Sequence, residues 1–151
     1  MNNPLNALSE ISIKYEPKVQ PINRPKITSS EDAYKHFLEL LEHSVMTIKE
    51  EAVVLFLNRS NRVLGGYKIS SGGITGTVVD IRLILAIALK SLASGLILAH
   101  THPSGELLPS RADKDLTQKL KDAAKLMDIS LFDHLILTTE SYYSFAEEGI
   151  L

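Results

Sequence analysis

Two unbroken apolar runs constrain this chain most: Val53-Val54-Leu55-Phe56-Leu57 and Leu96-Ile97-Leu98-Ala99. Each reads as a short strand. Side chains alternate along a strand, so a strand apolar at every position is buried on both faces. A sheet built from such strands needs helices to cover it. The sequence offers three. Ser29 reads as the cap of a first helix with Asp32 at its third position, a capping-box arrangement, and Tyr34, Phe37, Leu38 and Leu41 follow at helical spacing. Asp80 reads as the cap of an apolar helix from roughly Ile81 to Ser94, with Gly95 as its stop. A third helix is predicted after Ser110, with Leu116, Leu120, Ala123, Ala124 and Met127 turned inward.

The remaining strands are shorter or more polar. The first core strand begins at Glu51 or Ala52, turns at Asn58-Arg59-Ser60-Asn61, and pairs with Arg62 to Ser70, after which Ser71-Gly72-Gly73 punctuates the chain. Ser130-Leu131, His134 to Thr138 and Tyr142 to Phe145 read as short strands at the end. Helices alternate with strands and hairpins. The class is therefore α/β (α+β), with a mixed central β-sheet flanked by helices.

At 151 residues the chain suits one domain, and four of its six prolines fall in the first 27 residues, at 4, 17, 21 and 25. Residues 1–27 thus read as an extended or flexible proline-containing arm, and residues 28–151 as the folded domain. Cysteine is absent, which excludes disulfides, thiol catalysis, iron–sulfur clusters and zinc ribbons, so any metal must be held by His, Asp or Glu. The longest strictly apolar run, Leu83 to Leu89, is far short of a membrane span, and Met1-Asn2-Asn3-Pro4 carries no secretory signal. The expected location is the cytoplasm. With 16 basic against 18 acidic side chains the net charge is −2, so nucleic acid is not an expected partner of this chain alone.

The polar residues with chemical potential cluster around the second core strand. His100 and His102 stand two apart at its end, so their imidazoles project to the same side, and Pro103 then ends the pairing. Ser110-Arg111-Ala112-Asp113 reads as a capping box at the start of the third helix. That reading is compatible with a second one, because a helix start fixes both side-chain directions and lets the Asp113 carboxylate meet a metal held by the two histidines. Three protein ligands and one open position is the pattern of catalytic zinc. Glu50 and Glu51, before the first core strand, are either solvated or positioned to take a proton from water.

Glu50, His100-Thr101-His102-Pro103, the seven residues 103–109, Ser110 and Asp113 together match the zinc motif Glu … His-Ser/Thr-His-x7-Ser-x-x-Asp of the JAMM (MPN-plus) metallopeptidases. His-x-His-Pro-Ser-Gly, Pro-Ser-Arg-x-Asp and Leu131-Phe132-Asp133-His134-Leu135-Ile136 narrow the resemblance to the RadC family of bacterial JAB-domain proteins, over about residues 28–151. The resemblance implies a cytidine-deaminase-like/MPN fold. It implies one zinc ion (Zn2+) per chain on His100, His102 and Asp113, Glu50 as general base and Ser110 as oxyanion donor. The implied activity is that of a metallopeptidase or isopeptidase, with an extended peptide or protein as partner. Counting back from Phe56-Leu57-Asn58 favours Glu50, with Glu51 as the fallback. Full-length RadC proteins also carry a helix-hairpin-helix region, which residues 1–27 do not contain.

Two other functions compete. One is a non-catalytic JAB-fold binding module, which is weakened because all five motif residues are present. The other is a DNA-repair accessory role of the RadC type, weakened by the charge of −2. Three histidines and one arginine fall outside the motif. His134 reads as a hydrogen-bonded core histidine or a group behind the metal ligands, His36 and His43 as exposed, and Arg82 as facing the cleft or snorkelling to the surface.

Overall fold

The computed structural model describes residues 8–12, 14–71 and 78–151. Its elements are α1 (Ser30–Leu40), α2 (His43–Met46), β1 (Glu51–Leu57), β2 (Val63–Ser71), α3 (Ile81–Lys90), β3 (Gly95–Thr101), α4 (Arg111–Leu126), β4 (Ser130–Leu137) and β5 (Tyr142–Ser144). The strands form one mixed sheet in the order β2-β1-β3-β4-β5. β3 and β4 run parallel, joined through α4, and every other neighbouring pair is antiparallel. Among the described residues no helix is long and apolar enough to cross a membrane.

Every residue of β1 and β3 is buried, the apolar runs 53–57 and 96–99 together with the polar Glu51, His100 and Thr101. Val53, Leu55, Leu57, Ile97 and Ala99 face one layer, where Ala33 and Phe37 of α1 and Met46 of α2 pack. Val54, Phe56, Leu96 and Leu98 face the other, under Ile84 and Ala88 of α3 and Leu120 and Ala124 of α4. Burying side chains of this size contributes roughly 1.5–3 kcal/mol each. That is enough to hold both layers to the sheet.

Several local expectations change. The Asp32 carboxylate reaches one residue further back than a capping box would take it. It accepts from the backbone N–H and hydroxyl of Thr28 at 2.9 and 2.6 Å, while Ser29 Oγ accepts from Asp32 N. α3 ends at Lys90 rather than near Ser94. Ser91 Oγ donates to the Ile87 carbonyl, Leu92 turns back at φ 57°, and Ser94 N–H already pairs with Leu57 of the sheet. Gly95 is therefore not a helix stop but the first residue of β3, where a Cβ would lie 2.0 Å from the Phe132 ring. Met127 is half exposed at the end of α4 instead of inward. The end of the domain holds one eight-residue strand, β4, in place of two short ones, and Phe132 forms a bulge in it. The bulge resets the alternation, so Leu131 and His134 face the same side as Leu96 and Leu98. Gly72 and Gly73 lie outside the described residues.

Residues 14–27 run beside the start of β2. Tyr15 Oη donates to the Leu64 carbonyl at 2.8 Å, Val63 N–H donates to Pro25 O at 2.8 Å, Lys26 bridges Arg62, and Ile27 is buried in the core.

On the α1 side of β4, Asp133 is buried and fully used. Its carboxylate accepts from Ser30 Oγ, Ser144 Oγ, His134 N–H and Ala146 N–H. One anion thus ties the start of α1, β5 and the following turn to the sheet. Asp133→Ala leaves four donors without that acceptor and should cost about 3 kcal/mol. In thermal unfolding this appears as a Tm lowered by roughly 6–12 °C. An unchanged Tm would remove Asp133 from the account of stability.

Candidate metal centre

The two-residue spacing of β3 and the cap of α4 bring three side chains to one point. His100 and His102 share the α4 side of the sheet. His102 continues the pairing one residue past β3, its N–H donating to Leu137 O at 2.9 Å. After Pro103 the chain turns through Gly105, at φ 83°, and reaches Ser110. There the capping box is complete: Asp113 N–H donates to Ser110 Oγ at 3.1 Å, and Ser110 N–H to Asp113 Oδ2 at 2.7 Å. Held this way, Asp113 places Oδ1 3.2 Å from His100 Nε2 and Oδ2 3.5 Å from His102 Nε2. The two Nε2 atoms lie 2.8 Å apart.

The chemistry of this donor set fits a zinc ion. His102 Nδ1 lies 2.6 Å from the Glu106 carbonyl oxygen. A carbonyl only accepts, so Nδ1 carries the hydrogen and the Nε2 lone pair of His102 points into the cluster. Two imidazole nitrogens and a carboxylate, with donor atoms all within 4.8 Å of one another, are borderline-soft and hard ligands of the kind zinc takes. His100 is buried while His102 and Asp113 are partly exposed, so the cluster has a closed side and an open one.

The electrostatics also describe a site that attracts cations. Burial pushes the Asp113 carboxyl up, but the His100 and His102 imidazoles beside it outweigh that and hold the group well below the ordinary carboxylate range. The Asp113 carboxylate beside it raises the pKa of His102 against the effect of burial. Beyond His100, burial pushes His134 well down.

Strand pairing separates the two glutamates. Ala52 of β1 stands opposite His100, so Glu50, two residues earlier, falls on the histidine side and Glu51 on the other. Glu50 is half-buried, and its charge adds to the upward shift of His102. Glu51 is buried at the start of β1, where its carboxylate accepts from Lys68 Nζ at 3.0 Å and its N–H donates to Thr101 Oγ1. Ser110 is exposed at the rim. Arg82 points to solvent, its Nε 3.5 Å from Asp80 Oδ1. His43 is exposed, and His36 is partly buried with Nδ1 3.6 Å from Glu39 Oε2.

Thr117 was not visible as part of the site from its sequence position. It stands one helical turn after Asp113, on the same face of α4, and that spacing is the signal that could have found it. Its hydroxyl contacts His134, which in turn contacts His100.

A mixed five-stranded sheet between helices, with a His-His-Asp cluster at a strand end and helix start, defines a JAB/MPN-type domain with a candidate metal centre. The RadC-like JAB domain family matches residues 27–150, and this chain belongs to that family. It is similar to a UPF0758 protein of Flavobacterium johnsoniae, 50% identical over 128 residues, covering 83% of this chain and 53% of that protein. A UPF0758 protein of Porphyromonas gingivalis is 40% identical over 146 residues, covering 96% of this chain and 63% of the relative. The UPF0758 protein YfjY of Escherichia coli is 44% identical over 103 residues, covering 68% and 64%. The chain therefore spans between half and two thirds of the length of these relatives.

Proposed function

We propose that this chain is a zinc-dependent metallopeptidase or isopeptidase that hydrolyses a peptide or isopeptide bond in an extended segment of a protein. The convergence of His100 Nε2, His102 Nε2 and the Asp113 carboxylate carries the reading, with Glu50 on the same side of the sheet. His100, His102 and Asp113 would hold the ion. Zinc bound there supplies an activated water near neutral pH and polarises a scissile carbonyl.

The chain's own residues supply the rest. The Glu50 carboxylate takes the proton of the attacking water and passes it to the leaving amine, which must depart neutral. Ser110 Oγ accepts from Asp113 N–H, and its own hydrogen is left to donate to the developing oxyanion.

The test is to incubate the zinc-loaded chain and a chelated control with a peptide library and to count new amino termini by mass spectrometry. Termini that form only with zinc support the reading, and their absence across peptide and isopeptide substrates contradicts it. Ser110→Ala separates the two roles of that residue. Loss of the cap lowers stability by about 1 kcal/mol. Loss of the oxyanion donor lowers kcat by about 10²–10³-fold with zinc still bound. Turnover at the wild-type rate would leave Ser110 a cap and nothing more.

A further inference from the structure

The geometry assigns His134 and Thr117 as positioning residues that lock His100 in the tautomer its candidate metal needs, an inference that rests on the zinc-centre reading above. Thr117 Oγ1 lies 2.7 Å from the backbone carbonyl oxygen of Asp113 and 2.6 Å from His134 Nδ1. A hydroxyl has one hydrogen and a carbonyl can only accept, so the Thr117 hydrogen goes to Asp113 O. His134 Nδ1 must then donate to Thr117.

His134 is completely buried, and among the described residues its two ring nitrogens face only Thr117 and His100. With its hydrogen on Nδ1 the ring donates to Thr117, and its other nitrogen is left to pair with His100, so one N–H satisfies both contacts. Its Nε2 is therefore an acceptor. That atom lies 2.7 Å from His100 Nδ1, so His100 donates there. The remaining nitrogen of His100, Nε2, keeps its lone pair and points it at His102 and Asp113. Reversing any link would present an N–H of His100 to the cluster and exclude a metal.

The chain of bonds starts on the backbone of Asp113 and ends on a ligand beside the Asp113 carboxylate. It therefore aligns an imidazole of β3 with a carboxylate of α4 through β4. His102 receives the same tautomer independently, from Glu106 O. His134 also stacks on Phe145, ring centroids 4.6 Å apart, and packing alone would account for that contact. It would not account for a directional partner on each nitrogen.

Thr117→Val has the shape of threonine without the hydroxyl and frees His134 to carry its hydrogen on Nε2. Thr117→Ser restores the hydroxyl. Zinc affinity is read by competition with a chromophoric chelator, the ring tautomers by ¹⁵N NMR of the metal-free protein, and folding by Tm. Thr117→Val is expected to bind zinc about 10–100-fold more weakly, with Thr117→Ser close to wild type. Metal-free wild type is expected to show Nδ1–H at both His100 and His134. A folded Thr117→Val chain with wild-type zinc affinity overturns the assignment, and so does Nε2–H at His100 in the wild type. Should Thr117→Val fail to fold, the wild-type tautomers still decide. If the wild type binds no zinc, the metal-centre reading fails by that result, while the metal-free spectrum judges the tautomer chain separately.

Discussion

Glu50→Gln will keep its zinc and lose hydrolysis. The amide is nearly the size of the carboxylate and is not one of the three converging donors, so the metal centre stays intact. It cannot accept a proton, and general-base catalysis of this kind contributes about 10²–10⁴-fold. The readout is kcat on a cleavable peptide beside zinc content measured on the same sample. Glu51→Gln is the control. That residue sits on the far face of β1, paired with Lys68, so its substitution acts on stability rather than on proton transfer. An active Glu50→Gln with an inactive Glu51→Gln would mean that the base comes from the opposite side of the strand.

His102→Ala will abolish the response of stability to zinc. A ligand that binds only the folded chain stabilises it by about 4 kcal/mol at a thousandfold excess over its Kd, or roughly 8–16 °C in Tm for a domain of this size. Removing His102 takes away one of the three donors, the imidazole whose Nε2 lies 2.8 Å from that of His100. The variant should melt at the same temperature with and without zinc, and hydrolysis should vanish with the metal. A zinc-dependent Tm that survives the substitution would place the ion elsewhere.

How much of this was legible in the sequence follows from how local each signal is. β1 and β3 could be read because each holds an unbroken apolar run, residues 53–57 and 96–99, and burial on both faces leaves no other pattern. The caps at Ser29, Asp80 and Ser110 are local too, and each accepts the backbone hydrogen bond expected of it. The end of α3 was not legible, because Leu92 adopts a left-handed conformation that its residue type does not announce. Gly95 looked like a helix stop for the same reason. Its absent Cβ instead makes room for Phe132, a residue 37 positions further along the chain.

The candidate site divides the same way. The spacing from His100 to Asp113 is a local pattern, and one strand end followed by one helix start realises it. The choice between Glu50 and Glu51 depends on the pairing of Ala52 with His100, which the sequence does not carry. His134 left two readings open, and the structure joins them: it is both buried in the core and bonded to His100. Glu106 contributes through its backbone carbonyl, so its side-chain identity held no information.

The central claim is that His100, His102 and Asp113 form a metal centre, and elemental analysis of the chain tests it most directly. The protein is purified without chelators, equilibrated with zinc, desalted, and its metal content measured by plasma mass spectrometry against protein concentration. The account predicts one zinc per chain. A chain that retains no metal after this treatment would contradict it.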